Sequence, residues 1–426
     1  MTHIHKNPIS RRTSLALATG GLLAGAARQR AQAKDLHPVR TITTGPKHHW
    51  FGYYDKLEFD PSNRFVLSGT VDFEHRTPRA SDSISVGMVD ILDGDRWIQL
   101  GQSSAWGWQQ GCMLQWRPGS NREVVWNDRE GDAYVCRVYD IETRRIVRTL
   151  PRAIYALSPD GKYAITADFA RIQRMRPGYG YVGLRGKQYS QRAPEASGVW
   201  RMDMETGQSE LIFSLADAAK IPYQGNTLED KWNYFNHLLV SPDSRRFIVL
   251  HRWREDDRGE PSGRFTTRMF TANMDGSEKY VLDPSGYTSH FIWRDPQHIC
   301  AWTRPAGRRD AFYLFKDRTS DIEIVGEGVM TRNGHNTYLP GTDGEWILND
   351  TYPDKVNREQ KPYLYHVPSN RKIELGGFHS PPAYKGEWRC DTHPRSSNDA
   401  RTVAIDSPHD GTGRQVHLID ISEFIG

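Results

Sequence analysis

A short turn phrase recurs seven times along the chain, and it constrains the fold more than any other feature. Each copy places a few mostly apolar residues before a turn that is usually rich in Pro, Asp, Asn or Gly, and a second apolar run follows the turn in most copies. This pattern is typical of the first hairpin of a repeated β unit. The copies begin at Lys56, Met113, Ile154, His237, His290, His335 and His393.

Each copy opens a unit of about four short strands, which is the pattern of a β-propeller blade. The fourth unit, for example, contains the apolar runs NHLLVS, RFIVLHRW, TRMFTANM and KYVLD. The seventh unit is one strand short, whereas the segment VRTITTG near the N-terminus has strand composition and no unit of its own. We therefore predict an all-β, seven-bladed β-propeller whose ring is closed by this N-terminal strand, because closure removes open sheet edges.

Residues 1–33 are predicted to be a twin-arginine export signal, and residues 34–426 a single propeller domain. The pair Arg11 and Arg12 precedes a weakly apolar stretch, LALATGGLLAGAA, and the sequence Ala31-Gln32-Ala33 then fits a cleavage site. The mature protein is therefore expected in the periplasm or outside the cell.

The charge balance argues against nucleic acid as a partner. The predicted signal contains five of the 56 lysines and arginines and no acid, so 51 basic side chains remain against 52 acidic ones. Such a chain has no basic excess for a nucleic-acid backbone. No apolar run reaches the length of roughly 18 residues that a membrane-spanning helix needs. The four cysteines are too few and too scattered for a disulfide framework, and their pairing stays open.

The first position of the repeat is the most informative column of the sequence. It is Lys, Met and Ile in the first three copies and His in the last four. Inner propeller strands line the central channel, so we expect the four histidines to converge near the axis. Neutral imidazole serves as a metal ligand or as a base. A hydrogen-bonded structural role is the alternative for any single one of them.

The histidine positions and the segment CDTHPR resemble those of the oligogalacturonate lyases, metal-dependent seven-bladed propellers related in architecture to the TolB propeller. The resemblance implies that His290 is the catalytic base and that His335 and His393 are metal ligands. The metal of that family is assigned as manganese. His237, one blade earlier, is a second candidate base.

Two residues of this segment depart from the family pattern. Cys390 stands where the family has glutamine, and Arg395 stands where it has a last histidine. A thiolate ligand at Cys390 would make the site softer and favour zinc over manganese. The expected cofactor is therefore a divalent metal, Mn or Zn. Loss of the histidine leaves open a site without metal, in which Arg395 would neutralise substrate charge.

Further candidates lie in the first blade and in an insertion of the third. Tyr54 is a candidate proton donor and Lys56 a candidate substrate contact, although an aromatic-rich start to the blade explains this segment equally well. The insertion 170–192 contains six cationic residues, several tyrosines and no acid. Arg174 and Arg176 within it suit a carboxylated or sulfated oligosaccharide. A solvated loop is the alternative.

These patterns favour a polysaccharide or oligosaccharide lyase that cleaves a uronate-containing glycan by β-elimination. Removing the proton beside a uronate carboxylate requires a positioned base, and a metal or an arginine must stabilise the resulting negative charge. The sequence offers both kinds of group. The alternative is a non-catalytic exported propeller, similar to TolB, that binds glycan or protein partners and uses its histidines structurally.

Overall fold

The computed structural model describes residues 38–256 and 265–425, and their strands form seven four-stranded antiparallel sheets and one two-stranded sheet. The predicted all-β, seven-bladed propeller is confirmed. The predicted export signal lies outside the described residues. Within the described ranges, no helix is long and apolar enough to cross a membrane.

The first strand, β1 (Val39–Thr41), belongs to the seventh blade, and the next twelve strands form blades one to three. Each of these blades runs in chain order from one edge of its sheet to the other. Blade one contains β2 (His48–Trp50), β3 (Phe65–Val71), β4 (Ile84–Asp90) and β5 (Arg96–Ser103). Blade two contains β6 (Gln115–Trp116), β7 (Glu123–Glu130), β8 (Ala133–Asp140) and β9 (Arg145–Leu150). Blade three contains β10 (Ala156–Leu157), β11 (Tyr163–Thr166), β12 (Gly198–Asp203) and β13 (Ser209–Ser214).

Blades four to six repeat this order, and blade six carries an extra strand pair. Blade four contains β14 (Trp232–Val240), β15 (Arg246–Arg254), β16 (Thr266–Asn273) and β17 (Tyr280–Gly286). Blade five contains β18 (Phe291–Asp295), β19 (His298–Thr303), β20 (Ala311–Lys316) and β21 (Ile322–Val325). Blade six contains β22 (Thr337–Tyr338), β23 (Trp346–Asn349), β25 (Tyr363–His366) and β26 (Arg371–Glu374), with the separate pair β24 (Glu359–Gln360) and β27 (Phe378–His379).

Blade seven combines strands from both ends of the described chain. Its C-terminal strands are β28 (Arg395–Ser396), β29 (Thr402–Ser407) and β30 (Gln415–Asp420). Strand β1 is the fourth, and it pairs antiparallel with β30 through residues 39–41 and 417–419. The strand order of this sheet is therefore β1-β30-β29-β28.

Position within a blade explains the apolar pattern of each strand. Every residue of β15, in the middle of blade four, is buried, whereas β9, at the outer edge of blade two, is largely exposed. A sheet enclosed between neighbouring layers is buried on both faces, so its middle strands carry apolar runs such as FIVL in β15. Val125, Ile165 and Val249, from three successive blades, accordingly share one apolar cluster.

Blade one does not begin at Lys56, where the first copy of the repeat was expected to open it, but at β2. After β2 the chain leaves the ladder through residues 51–58 and returns at Phe59, which forms a single bridge with Val66. The carboxylate of Asp406, in blade seven, accepts hydrogen bonds from the backbone N–H groups at the start of this excursion, including that of Gly52 at 3.2 Å. This excursion turns Tyr53 and Tyr54 toward the axis.

The insertion of blade three contains a helix rather than only a loop. Helix α1 (Phe169–Met175) follows Asp168, whose carboxylate accepts a hydrogen bond from the N–H of Arg171 at 3.0 Å. Helix α2 (Leu215–Lys220) is capped in the same way by the hydroxyl of Ser214. Both capping side chains satisfy backbone donors that a helix start leaves free.

Candidate functional site

The four histidines of the repeat lie side by side in one buried region. Each of His237, His290, His335 and His393 is at most 5% exposed. Ring centroids are 4.3 Å apart for His290 and His335, 4.2 Å for His335 and His393, and 6.4 Å for His237 and His290. Four successive blades thus contribute one imidazole each to the same region.

A β-bulge directs His237 into this region. The register of β14 against β15 shifts between Asn236 and Leu238, and His237 takes a φ of +50°. Such a bulge turns one side chain away from the regular alternation of the strand. The N–H of His237, which leaves the ladder, donates instead to the hydroxyl of Tyr155 at 2.9 Å.

Asp350 sets the tautomer of His335. The Nδ1 of His335 lies 2.9 Å from one carboxylate oxygen of Asp350, so Nδ1 carries the proton and donates it. Thr392 donates its hydroxyl proton to the other oxygen of Asp350 at 2.6 Å. The Nε2 lone pair of His335 is therefore available, in the arrangement by which a carboxylate orients a metal-binding histidine.

His335, Asp391 and His393 form a group that fits a metal ion. Each offers one ligand atom, and these atoms lie within 4.8 Å of one another. The Oδ1 atom of Asp391 is buried and has no hydrogen-bond partner among the described residues. A buried carboxylate oxygen without a partner is costly, and a cation would satisfy it. Two imidazoles and a carboxylate suit several divalent ions.

The segment that carries Asp391 is clamped on both sides. The side-chain amide of Gln360, in β24, donates to the carbonyl of Cys390 at 2.8 Å and accepts from the N–H of Thr392 at 3.3 Å. Arg389 donates its Nε–H to the second carboxylate oxygen of Asp391 at 2.8 Å. The carboxylate is thereby fixed in position before any ligand binds.

Cys390, which we predicted to be a metal ligand, is not part of this group. Neighbouring residues of an extended segment point to opposite sides, so Asp391 faces the histidines and the Cys390 thiol lies near Arg414 and Glu74 instead. Burial raises the pKa of this thiol, which favours the protonated form. The ligand expectation is corrected from Cys390 to Asp391, and the soft-ligand argument for zinc lapses.

His290 is arranged as a neutral base. Its Nδ1 lies 2.9 Å from the amide oxygen of Asn333, and Asn333 uses its amide N–H to donate to Ser289 at 3.2 Å. Nδ1 therefore carries the proton, and the Nε2 lone pair accepts only a long hydrogen bond, 3.4 Å, from the hydroxyl of Tyr352. Burial, together with the neighbouring His335, lowers the pKa of His290 well below its usual value.

Of the two adjacent tyrosines, Tyr53 contacts a histidine and Tyr54 does not have a free hydroxyl. Tyr53 hydrogen-bonds to the ring of His237, and burial lowers the pKa of His237. Tyr54 donates to the carbonyl of Phe291 at 3.0 Å and accepts from the N–H of the same residue at 3.2 Å. Burial raises the pKa of Tyr54 well above its usual value. The predicted proton donor Tyr54 is thus engaged by backbone.

Lys56 reaches the same region, but its charge is already compensated. Its ammonium group donates to the carboxylate of Asp55 at 2.9 Å, and both side chains are less than a tenth exposed. The ammonium also lies 5.3 Å from the ring centroid of Tyr155. Lys56 can orient a ligand, but it adds no net charge to the site.

Arg395, predicted to bind substrate or to replace a ligand, is fully occupied by protein groups. It donates to Glu58 at 2.7 Å and to Asp406 at 3.1 Å, and it is only 2% exposed. It also donates to the carbonyl of His393. Arg395 therefore joins blades one and seven beneath the site, and the expectation that it contacts substrate is corrected.

Two other arginines have donors without an acceptor among the described residues. Arg176 donates one Nη2–H to Tyr179 at 3.1 Å, and Arg252 donates its Nε–H to Thr267 at 3.1 Å. The Nε and Nη1 atoms of Arg176 and the Nη1 atom of Arg252 are buried without a hydrogen-bond partner in the described ranges. Burial, with the charge of Arg176, lowers the pKa of Arg252 to about 10. Arg252 in turn contributes to the lowered pKa of His237.

Arg174 takes a different position from Arg176. Its guanidinium lies over the rings of Tyr189 and Trp232, at 3.7 Å and 4.3 Å from their centroids. It also donates to the carbonyl of Tyr189. Arg174 thus packs between the insertion and β14, and of the two predicted substrate arginines it is Arg176 that neighbours the histidines.

Several residues that surround the histidines are not identified by the sequence patterns. Among them are Tyr179, Arg252, Asp350, Arg389 and Asp391. Asp391 lies inside the segment CDTHPR and Tyr179 inside the basic insertion, so both are in segments that the sequence marks as candidates. Arg252 follows the apolar run of β15, and its position in a buried strand was the available signal.

Comparison with known proteins supports the fold. No family model matches the chain, and no curated protein matches it. Among solved structures, the chain is similar to an oligogalacturonate lyase from Vibrio parahaemolyticus, with a TM-score of 0.64 and 14% identity, covering 91% of this chain and 95% of that chain. An oligogalacturonate lyase in complex with manganese gives a TM-score of 0.62 at 14% identity, covering 91% and 94%. The shared feature is the propeller fold.

Proposed function

We propose that the protein is a lyase that cleaves a uronate-containing polysaccharide or oligosaccharide by β-elimination. Neutral histidines, arginine donors without an acceptor in the described part of the chain and a group that fits a divalent metal meet at one buried region. The propeller fold shared with oligogalacturonate lyases supports the same class of reaction.

The observation that carries the proposal is the pair of arginines beside the histidines. Arg176 and Arg252 place three N–H-bearing nitrogen atoms in the interior without acceptors in the described part of the chain. A buried N–H group without an acceptor is costly, and so are two like charges buried together. An anion bound between the two arginines would remove both costs. A uronate carboxylate matches the fork of a guanidinium and would satisfy these donors.

His290 is the proposed base. Its Nε2 lone pair would accept the proton on C5, beside the uronate carboxylate, while Asn333 holds the opposite ring nitrogen. The bond from C4 to the glycosidic oxygen then breaks and a C4=C5 double bond forms. Negative charge that develops on the carboxylate would be stabilised by Arg176 and Arg252. His237, whose ring contacts Tyr53, would orient the sugar.

The metal group would add to this stabilisation. His335, Asp391 and His393 would hold a divalent cation, which when bound supplies Lewis-acid stabilisation of a carboxylate. Asp350 orients His335, and Arg389 orients Asp391, whichever ion is bound. Manganese and zinc are both compatible with this donor set.

A basic surface cavity beside the metal group suits an acidic glycan. The cavity has a volume of about 250 Å³, and Arg389 and Asp391 form part of its lining. Arg358 and Lys385 lie on the same lining, so carboxylate or sulfate groups would meet cations there. We further propose that the protein acts after export, in the periplasm or outside the cell, where such glycans are encountered.

The direct test is to incubate the protein with pectic, ulvan and glycosaminoglycan oligosaccharides and to follow ultraviolet absorption of the unsaturated product. We expect absorption to rise with a uronate substrate and to stay flat with a neutral glycan of equal length. Arg252→Met should raise KM strongly, whereas Arg309→Met, at an exposed arginine, should not. Binding of a uronate glycan without any product would instead indicate a glycan-binding propeller.

A further inference from the structure

Tyr179 brings a hydroxyl group from the insertion to the histidine region. It is 4% exposed, and its ring centroid lies 5.8 Å from that of His237. The residue follows helix α1, and no strand of blade three includes it. Its position at the axis thus depends on contacts outside its own blade.

Two guanidinium groups hold the hydroxyl oxygen. Arg389 donates an Nη2–H to it at 2.5 Å, and Arg176 donates an Nη2–H to it at 3.1 Å. A tyrosine hydroxyl has one proton to donate and can accept two hydrogen bonds. Among the residues the structure describes, Tyr179 donates its own proton to none, so this proton is available to a ligand.

Among the described residues, Tyr54, Tyr155 and Tyr352 do not combine two guanidinium donors with a lowered pKa. Tyr54 and Tyr352 have pKa values raised well above the usual value by burial. Tyr155 also accepts two hydrogen bonds, but its donors are neutral: the side-chain amide of Gln110 at 2.7 Å and the backbone N–H of His237 at 2.9 Å. The pKa of Tyr179, by contrast, is lowered, because the charges of Arg176 and Arg389 outweigh the effect of burial. A phenolate formed at Tyr179 would be stabilised by the two groups that already contact it.

We infer that Tyr179 is the general acid that protonates the leaving glycosidic oxygen, a role that rests on the lyase function proposed above. As the C4–O bond breaks, its electron pair takes the Tyr179 proton, and the leaving sugar departs with a free hydroxyl group. The phenolate stays between Arg176 and Arg389 until a proton from solvent restores it. The proton taken from C5 leaves His290 to solvent, so each turnover returns both residues to their starting forms.

The test compares Tyr179→Phe with Tyr189→Phe. Both variants remove one hydroxyl group from the same insertion, but Tyr189 lies under Arg174 and Arg185, away from the histidines. For a glycoside with a sugar leaving group, we expect Tyr179→Phe to lower kcat by roughly 10²- to 10³-fold with little change in KM. Tyr189→Phe should keep the wild-type kcat.

A substrate with an activated leaving group separates chemistry from structure. If a 4-nitrophenolate group replaces the leaving sugar, no proton is needed, and Tyr179→Phe should react within about threefold of wild type. The variant should also still exchange the C5 proton with deuterium from solvent, because His290 is intact. Equal losses on both substrates, loss of the exchange, or an unchanged kcat on the glycoside would each overturn the role of Tyr179. Absence of product from the wild-type protein would instead overturn the proposed function itself.

Discussion

Blades one to three and blades four to seven use the same repeat position in different ways. In blades two and three the position is occupied by Met113 and Ile154, which are at most 1% exposed and belong to one apolar cluster. In blades four to seven it is occupied by histidines. Their nitrogen atoms make hydrogen bonds or belong to the group His335, Asp391 and His393 that fits a metal ion. At this position the packing half of the ring, blades two and three, contributes to the core, and the site half, blades four to seven, forms a site. Lys56 of blade one belongs to neither group, because it pairs with Asp55.

The backbone φ angle at this repeat position does not follow the division between packing residues and histidines. Met113 has a φ of +55°, close to the +50° of His237 and the +38° of His393. A residue with a side chain in this region costs roughly 1–2 kcal/mol. Met113, a packing residue, takes this conformation, whereas His290 and His335 do not, so the strain is not tied to the histidine site. The side chain alone then decides whether a blade contributes to the core or to the site.

Replacing the proposed base should have the largest effect on the site half. His290→Gln is expected to lower the elimination rate by roughly 10²- to 10⁴-fold, because glutamine cannot accept the C5 proton. Thermal stability should change little, since glutamine can still hydrogen-bond to Asn333. His298→Gln, on the same blade and paired with Asp295 away from the axis, is the control. A His290→Gln variant with wild-type kcat would remove His290 from the mechanism.

Shortening the equivalent packing residue should affect stability instead. Ile154→Ala removes a fully buried side chain from the cluster between blades two, three and four, and we expect a loss of about 2–5 kcal/mol in the free energy of unfolding. Urea denaturation measures this loss. Leu92→Ala, at a side chain that is 76% exposed, should stay within about 0.5 kcal/mol of wild type. An Ile154→Ala variant with wild-type stability and lost activity would contradict the division between the two halves.

The sequence was sufficient to predict the ring and the histidine column, but not the partners of those histidines. Apolar runs and turn residues are local signals, so nearly all strands of the blades were recognisable. Whether Cys390 or Asp391 faces the axis depends on the clamp by Gln360, 30 residues earlier in the chain. Arg395 likewise meets Glu58 only once the first and last blades are adjacent. Contacts between blades therefore limit what sequence patterns alone can assign.

Asp350 provides a smaller test of how the site half is organised. Asp350→Asn should weaken the binding of a divalent metal by about 10- to 100-fold, because the amide no longer fixes the tautomer of His335. Isothermal titration of the metal-free protein with Mn²⁺ or Zn²⁺ measures the change. Asp310→Asn, at an exposed carboxylate paired with Arg304, should bind the ion as wild type does. Unchanged affinity in Asp350→Asn would mean that the His335 tautomer is set by other groups.

The pH dependence of stability tests whether burial alone keeps the histidines neutral. His237 lies at the axis, whereas His251 lies inside blade four, where its Nε2–H donates to Asn233 at 2.8 Å and its Nδ1 accepts from Arg268 at 3.1 Å. Burial lowers the pKa of both well below 6.5. The unfolded chain therefore binds more protons below about pH 6.5, and the free energy of unfolding falls as pH falls.

Each of these two histidines should make the free energy of unfolding fall by up to about 1.4 kcal/mol for each pH unit between pH 6.5 and its folded-state pKa. Urea denaturation of the metal-free protein at pH 7 and pH 5 should show this fall reduced by similar amounts in His237→Gln and in His251→Gln. Equal reductions would mean that the axis holds its histidine neutral by the same desolvation as the blade interior. A reduction confined to His251→Gln would mean that His237 takes up its proton over the same pH range in the folded and the unfolded chain, so that burial at the axis does not lower its pKa.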